Sequence, residues 1–169
     1  MSAPATPSPE LPHVETDGDV RRWCPVSSEA WTGLLQTHRR LTRELDAELE
    51  AQHDLSFSAL EILARLHRAE ERHLRMSDLA DQASLSLSRV SRLVDQLERR
   101  GAVAREACAT DARVVHVVLT DPGADLLREA QETHFAGVEE RFFGRLSEDE
   151  VAVLAEIFSR FTPAGRGDC

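Results

Sequence analysis

The chain has 169 residues, 41% of them hydrophobic, which suffices for one domain with a sizeable core. It has no long apolar run and a polar, acidic N-terminus, so we expect neither a membrane span nor a signal peptide, but a cytoplasmic protein. The net charge of −10 argues at first against a nucleic-acid partner, and the odd count of three cysteines indicates reduced thiols rather than disulfides.

The first predicted elements are a tail and a long helix. Residues 1–26 are rich in proline, serine, threonine and acidic residues, and we expect a disordered tail there. Apolar residues at helical spacing then predict an amphipathic helix over Ser28–Gln52. Its apolar face would carry Trp31, Leu34, Leu35, His38, Leu41, Leu45 and Leu49.

Three further helices are predicted in the middle of the chain. Ser56 or Ser58 starts the second helix, which leads into a short extended link at Leu74-Arg75-Met76. Ser77 is predicted to cap the third helix, and a short polar turn connects it to the fourth. A short helix, a turn and a second helix in this order are typical of a helix-turn-helix reader of DNA.

The fourth helix lies within SLSLSRVSRLVDQLERRGAVAR, residues Ser84–Arg105, and is followed by the stop signal Gly101. Its predicted packing face consists of Val90, Leu93, Val94 and Leu97. Arg89, Arg92 and Gln96 fall on another face. Arg99 and Arg100 are predicted to face the dipole at the end of the helix, with contact to DNA phosphates as the alternative. This segment has five arginines against two acidic residues, a local charge of +3, which would orient an acidic body on DNA.

After Gly101 the pattern changes from helical to extended. A strand at Val103–Arg105 and a β-branched strand at Arg113–Leu119 enclose a loop at Ala107–Ala112. Two short strands around a loop after a reading helix predict a β-hairpin wing.

Two helices and a tail complete the prediction. Thr120-Asp121-Pro122 begins a fifth helix that runs to about Gly144, and Ser147–Glu150 form a capping box for a sixth. Residues 163–169 are expected to be a flexible tail. The predicted fold is mainly α with a small β-hairpin wing (α+β), a winged helix-turn-helix with long terminal helices. A single small winged helix cannot bury their apolar stripes alone, whereas a twofold dimer would cover them.

The chain resembles the MarR family of bacterial transcription regulators from Ser28 to about Phe161. The resemblance is carried by LRMSDLADQASLSLSRVSRLVDQLERRGAV, by a Cys-x-x-Asp-x-Arg wing and by LTDPG behind it. It implies an obligate homodimer on a pseudo-palindromic operator in double-stranded DNA, with the fourth helix in the major groove and the wing near the minor groove. In a MarR-like domain over residues 27–162, residues 56–120 would form the DNA-binding lobe, and 27–53 and 121–162 the dimerisation helices.

The candidate DNA contacts follow from this geometry. They are Ser86, Ser88, Arg89, Ser91, Arg92, Gln96, Asp111 and Arg113. Arginine suits bidentate recognition of guanine and phosphate, and Arg113 at the wing would enter a narrow minor groove with Asp111 orienting it.

The resemblance further implies repression relieved by a small anionic, often aromatic or phenolic, effector. We expect Trp31, His38 and His67 to line the effector pocket, because they fall on inward stripes of their helices. His134 falls on such a stripe as well, with a core role as the alternative.

Other functions have weaker support. Cys24, close to Arg21 and Arg22, is a candidate redox sensor, but the chain has no tyrosine of the kind that the peroxide-sensing branch pairs with its cysteine. A winged-helix protein-interaction module that does not bind DNA is a further alternative. A third is a regulator controlled by a partner, in which the acidic tail occludes the DNA site. The sequence has no phosphate-binding loop and no nucleophile motif, so we expect neither an enzyme nor a cofactor. Histidines and glutamates gather near the end of the second helix, but they lack the spacing of metal ligands, so we expect no metal site.

Overall fold

The computed structural model describes residues 12–107 and 115–161. The chain divides within its first long helix into two compact units, one ending at Arg40 and the other beginning at Leu41. The predicted wing residues Cys108, Asp111 and Arg113 lie outside the described residues, as does the tail 163–169.

A two-stranded hairpin lies where the sequence predicts a disordered tail. Strands β1 (Val14–Asp17) and β2 (Val20–Trp23) pair in antiparallel fashion. Gly18 and Asp19 form the turn between them, and Gly18 has a φ of +62°, which glycine adopts without a steric penalty. The prediction is corrected for residues 14–23, because a two-residue turn lets the short strands satisfy each other's backbone groups.

Six α-helices follow this hairpin in the described residues. They are α1 (Pro25–His53), α2 (Phe57–Arg68), α3 (Met76–Ala83), α4 (Leu87–Arg99), α5 (Asp121–Arg141) and α6 (Glu148–Ser159). A three-stranded sheet contains β3 (His73–Arg75), β4 (Val103–Ala107) and β5 (Val115–Leu119). Strand β5 lies in the middle and is antiparallel to both neighbours, which confirms the mainly α fold with a small wing. No described helix is both long and apolar enough to cross a membrane.

Two helix starts differ from their prediction for local reasons. Helix α1 begins at Pro25 rather than Ser28, because the fixed φ of proline suits the first helical position. Helix α3 follows directly from strand β3, so Arg75 rather than Ser77 occupies its N-cap position. Helix α5 ends slightly before its predicted end, since Phe142 leaves the helical conformation and a 3₁₀ turn follows.

Three predicted helix starts are confirmed by their hydrogen bonds. The hydroxyls of Ser56, Thr120 and Ser147 each accept a hydrogen bond from the backbone N–H three residues later. At Ser147 the carboxylate of Glu150 accepts in return from the backbone N–H, which completes the predicted capping box.

The hydrophobic core lies in the second unit and joins the end of α1, the helices α2, α3, α4 and α5, and the sheet. Its fully buried members include Leu49, Ile62, Leu63, Leu66, Leu79, Val90, Val94, Leu97, Val117 and Leu127. Burial of each such side chain contributes about 1.5–3 kcal/mol to folding, so the packing face of α4 fixes which of its side chains point outward.

Candidate nucleic-acid interface

Helix α4 separates a buried face from an exposed one, as its sequence predicts. Val90, Leu93, Val94 and Leu97 are buried in the core. The exposed side chains on the opposite face are Ser86, Ser88, Arg89, Arg92 and Gln96. Ser91 is half-buried, which sets it apart from the other candidate contacts.

The start of α4 is held in place by local hydrogen bonds. The hydroxyl of Ser86 accepts from the backbone N–H of Arg89 at 3.3 Å and lies 3.2 Å from the hydroxyl of Ser88. The guanidinium of Arg89 donates to the hydroxyl of Ser58 at 3.4 Å, and Nε of Arg92 donates to the carbonyl oxygen of Ser88 at 3.3 Å. Within residues 12–107 and 115–161, no carboxylate forms a salt bridge with Arg89 or Arg92. Their positive charges are therefore available to an anionic partner.

Arg105 does not belong to this basic surface, although its charge counts toward the predicted local +3. Its guanidinium forms salt bridges with Asp95 at 2.5 Å and with Glu98, and donates to the carbonyl oxygen of Ser91. Burial acts to lower the pKa of Arg105, but the hydrogen bonds and charges of the two carboxylates outweigh it and raise that pKa. The arginine thus joins strand β4 to helix α4 and is not free to bind DNA.

Leu87 is a candidate contact that the sequence analysis missed. It is the first residue of α4 and its side chain is 55% exposed beside the serines and arginines. The sequence could have indicated this, because Leu87 does not fall on the predicted packing face of α4. An exposed aliphatic side chain at this place can contact the methyl group of a thymine.

The wing contributes its two strands to the described residues. Strands β4 and β5 pair from Val103 opposite Leu119 to Ala107 opposite Val115. Asp111 and Arg113 lie beyond them, outside the described part of the chain, and their roles stay predictions.

The predicted effector residues are exposed in the single chain. Trp31 is 53% exposed, and the side chains of His38 and His67 are exposed as well. The inward orientation predicted for His67 is wrong, because the neighbours of α2 pack against its other faces, where Leu60, Leu63 and Leu66 are buried.

A cavity of about 830 Å³ lies between α2, α3, α5 and strand β3. Its lining includes Phe57, Arg65, Arg68, Gln131, His134 and Phe135, but not His67. The Nδ1 atom of His134 is buried and has no hydrogen-bond partner among the described residues. Its ring lies with its centroid 5.3 Å from that of Phe57 and 6.0 Å from that of Phe135. Desolvation of the half-buried ring lowers the pKa of His134 and so favours its neutral form.

Acidification should therefore destabilise the fold through His134. The pKa of His134 is lower in the folded than in the unfolded chain. Its contribution to the free energy of unfolding is therefore complete above the unfolded pKa of about 6.5, and it is lost as the pH falls from that pKa towards the folded pKa. The variant His134→Phe should lose less stability than the wild type between about pH 7.5 and pH 5.5 in urea unfolding. Identical pH dependence in wild type and H134F would contradict a lowered pKa of His134.

The surroundings of Cys24 and the placement of possible metal ligands bear on the redox and metal alternatives. The thiol of Cys24 donates to the hydroxyl of Ser27 at 3.1 Å, and Arg22 forms a salt bridge with Asp17 at 3.0 Å. In the described ranges, no group of three His, Cys, Asp or Glu side chains is placed to bind a metal.

Comparisons with known proteins agree with this geometry. The MarR family model matches residues 53–114. The chain is similar to AbsC, a MarR family transcriptional regulator from Streptomyces coelicolor whose crystal structure is known. The two sequences are 31% identical, the structures superpose with a TM-score of 0.76, and the match covers 87% of this chain and 99% of AbsC. Sco3205, a MarR family regulator from the same organism solved in complex with DNA, is 30% identical with a TM-score of 0.76, covering 85% and 91% of the two chains.

A curated relative extends this similarity to another bacterium. The transcriptional repressor MdtR of Bacillus subtilis is 26% identical over 143 residues, which are 85% of this chain and 90% of MdtR. Since AbsC matches over nearly its whole length and shares the arrangement of helices and wing, the chain belongs to the MarR family of DNA-binding transcriptional regulators.

Proposed function

We propose that the chain acts as a homodimer that binds both halves of a pseudo-palindromic operator and represses transcription until a small aromatic anion releases it. The observation that carries this proposal is the exposed face at the start of α4. Arg89 and Arg92 project there without a carboxylate partner in the described residues, while the opposite face of the helix is buried. A rigid helix that presents guanidinium groups suits the major groove of DNA.

Each exposed side chain of α4 has a role in this proposal. Arg89 and Arg92 bind guanine edges or phosphates, and Leu87 contacts a thymine methyl group. The hydroxyls of Ser86 and Ser88 donate to phosphates next to the positive end of the helix. Ser91 and Gln96 make secondary contacts, and at the wing Arg113, oriented by Asp111, enters the minor groove.

Exposed apolar side chains support the proposed dimer. No residue of α6, which the structure describes completely, is buried in the single chain. The exposed large apolar residues of α6 and of the segment after it are Val153, Ile157, Phe158 and Phe161. Association of two copies would cover them, because contiguous apolar surface of this kind is rare on monomers. Residues 27–53 and 121–162 would supply the dimerisation helices, and residues 56–120 the DNA-binding lobe.

The cavity beside His134 supports the proposed effector. Glu61 and Asp81 line the same cavity, and Arg65 forms a salt bridge with Glu61 at 3.6 Å. Arg68 carries the charge that can attract an anion, and the phenylalanine rings at Phe57 and Phe135 can stack on an aromatic ring. The orphaned Nδ1 atom of His134 can bond a phenol or carboxylate oxygen of the ligand. This assignment replaces His67 by His134 in the predicted pocket and leaves the roles of Trp31 and His38 as predictions.

The repressor role has support from relatives. MdtR is named a transcriptional repressor, and Sco3205 was solved with DNA. Both match this chain over more than four fifths of its length.

Selection from a random library of DNA duplexes tests the proposal. The wild-type chain should enrich a sequence with two inverted half-sites about one helical turn apart, and a footprint should cover both. Benzoate and phenol derivatives should then release the selected duplex from the wild type and much less from His134→Phe. Enrichment of no sequence, or of one isolated half-site by a monomer, would contradict the proposed function.

A further inference from the structure

Arg100, the residue after α4, ties the reading helix to the end of α1. Its Nη2 atom donates to the carbonyl oxygen of His53 at 2.8 Å, and its Nη1 atom donates to that of Asp54 at 2.5 Å. His53 is the last residue of α1, and Asp54 turns the chain away with a φ of +51°. The guanidinium therefore lies at the negative end of α1, where the last carbonyl groups have no partner inside the helix.

This contact differs from the sequence prediction, in which Arg99 and Arg100 both face the end of their own helix. Arg99 does so, because its Nε atom donates to the carbonyl oxygen of Asp95 at 3.2 Å within α4. Arg100 instead donates to two carbonyl groups at the end of α1, those of Asp54 and His53, which lie 46 and 47 residues earlier in the chain. The two neighbours have equal charge but different partners, which makes Arg99 a matched control.

Arg100 lies beside an open space between the two helices. A cavity of about 470 Å³ lies beside Arg100 between the end of α1, the start of α2 and the C-terminal half of α4. Its lining includes Glu50, Gln96 and Arg99. The buried side chains of Leu55, Ala59 and Leu97 line this space as well, so apolar packing and the hydrogen bonds of Arg100 together connect α4 with the end of α1 and the start of α2.

The end of α1 is itself held by other helices. The Nε2 atom of His53 lies 2.8 Å from the hydroxyl of Thr133 on α5, and Oδ1 of Asp46 accepts from the backbone N–H of Phe57 at 2.7 Å. Arg100 thus binds α4 to a junction that already joins α1 with α2 and α5.

We propose that Arg100 is a positioning residue that sets which spacing of operator half-sites the dimer accepts. This inference rests on the proposed function, in which α1 and α5 join two chains and α4 reads DNA. In such a dimer, the orientation of α4 relative to α1 fixes the separation of the two reading helices. Duplex DNA presents equivalent major-groove faces about 34–36 Å apart, so a loosened junction weakens simultaneous binding to both half-sites.

The test compares the wild type, Arg100→Gln and Arg99→Gln on fluorescein-labelled duplexes. The duplexes carry the two half-sites selected by the wild type at the selected spacing, and at spacings one base pair shorter and one base pair longer. The wild type should prefer the selected spacing by about tenfold. Arg100→Gln should bind that spacing about tenfold more weakly and lose most of the preference, whereas Arg99→Gln should keep it.

The readout separates positioning from a purely structural role. A lower melting temperature of Arg100→Gln with an unchanged spacing preference would overturn the inference. If Arg100→Gln does not fold, Arg100→Lys replaces it, because lysine keeps the charge but lacks the fork that reaches both carbonyl groups. Wild-type binding without any spacing preference would overturn this inference alone, whereas a wild type that binds no duplex would overturn the proposed function as well.

Discussion

Replacing either Arg89 or Arg92 by alanine should lower the affinity for the selected operator about tenfold to a hundredfold. The structure places both guanidinium groups on the exposed face of α4, with no salt bridge to a carboxylate in the described residues. A bidentate contact with the correct base contributes about 1–3 kcal/mol to discrimination, which corresponds to this range. Fluorescence anisotropy with labelled operator and with a scrambled duplex measures the loss and separates base contacts from phosphate contacts. A base contact is lost on the operator alone, whereas a phosphate contact is lost on both duplexes.

Arg128→Ala is the matched charge control for these variants. Arg128 is exposed on α5 and forms a salt bridge with Asp125 at 2.8 Å. Its loss changes the net charge by the same amount but removes nothing from α4, so the affinity should change little. Equal losses in R128A and R92A would show that net charge, rather than the face of α4, governs DNA binding.

Gly123→Ala should lower the free energy of unfolding by about 3 kcal/mol, because the new methyl group has no room. Its Cβ atom would lie 1.9 Å from the carbonyl oxygen of Ala102 and 2.9 Å from Cδ1 of Leu119. The main obstacle is backbone, which cannot rotate away, and the same carbonyl accepts a hydrogen bond from Thr120. The start of α5 and the turn between α4 and β4 would have to separate. Thermal unfolding should show a decrease of about 6–12 °C in melting temperature for a chain of this size.

Gly33→Ala makes the same chemical change where space is open. Gly33 lies inside α1, and in the single chain no atom of the described residues, apart from the adjacent residues and the backbone of its own helix, lies within 4 Å of the position of a Cβ there. Alanine at an open helical position stabilises by up to about 1 kcal/mol, so G33A should unfold at the wild-type temperature or slightly above it. Similar melting temperatures for G123A and G33A would contradict the close contact of α5 with Ala102.

Most helices could be predicted because their signals are local. The apolar stripe of α4 and its stop at Gly101 specify that helix without reference to the rest of the chain, and Gly101 indeed has a φ of +70°. The glycine of LTDPG illustrates a limit of this approach. Its place in the motif is visible in the sequence, but the reason for it, contact with the carbonyl group of Ala102, depends on a residue 21 positions away.

The parts that could not be predicted depend on contacts distant in sequence. Strand β3 has three residues and pairs with β5 more than 40 residues later, so the sequence shows only an extended link. Helical periodicity places His67 and His134 equally on apolar stripes, and only the packing of α2 against α5 decides that His134 is half-buried while His67 is exposed. The hairpin at residues 14–23 had a local turn signal in Gly18-Asp19, but its short strands VETD and VRRW are mostly charged or polar and lack the apolar alternation that predicts a strand.

Titration of the labelled operator with purified chain at several salt concentrations tests the central claim most directly. The account predicts saturation at two chains per duplex, and an affinity whose logarithm falls linearly with the logarithm of the salt concentration, as expected when arginines displace counterions from phosphates. It further predicts a large preference for the operator over a scrambled duplex of equal length. A monomer, or a chain that binds operator and scrambled duplex equally even in dilute salt, would contradict it.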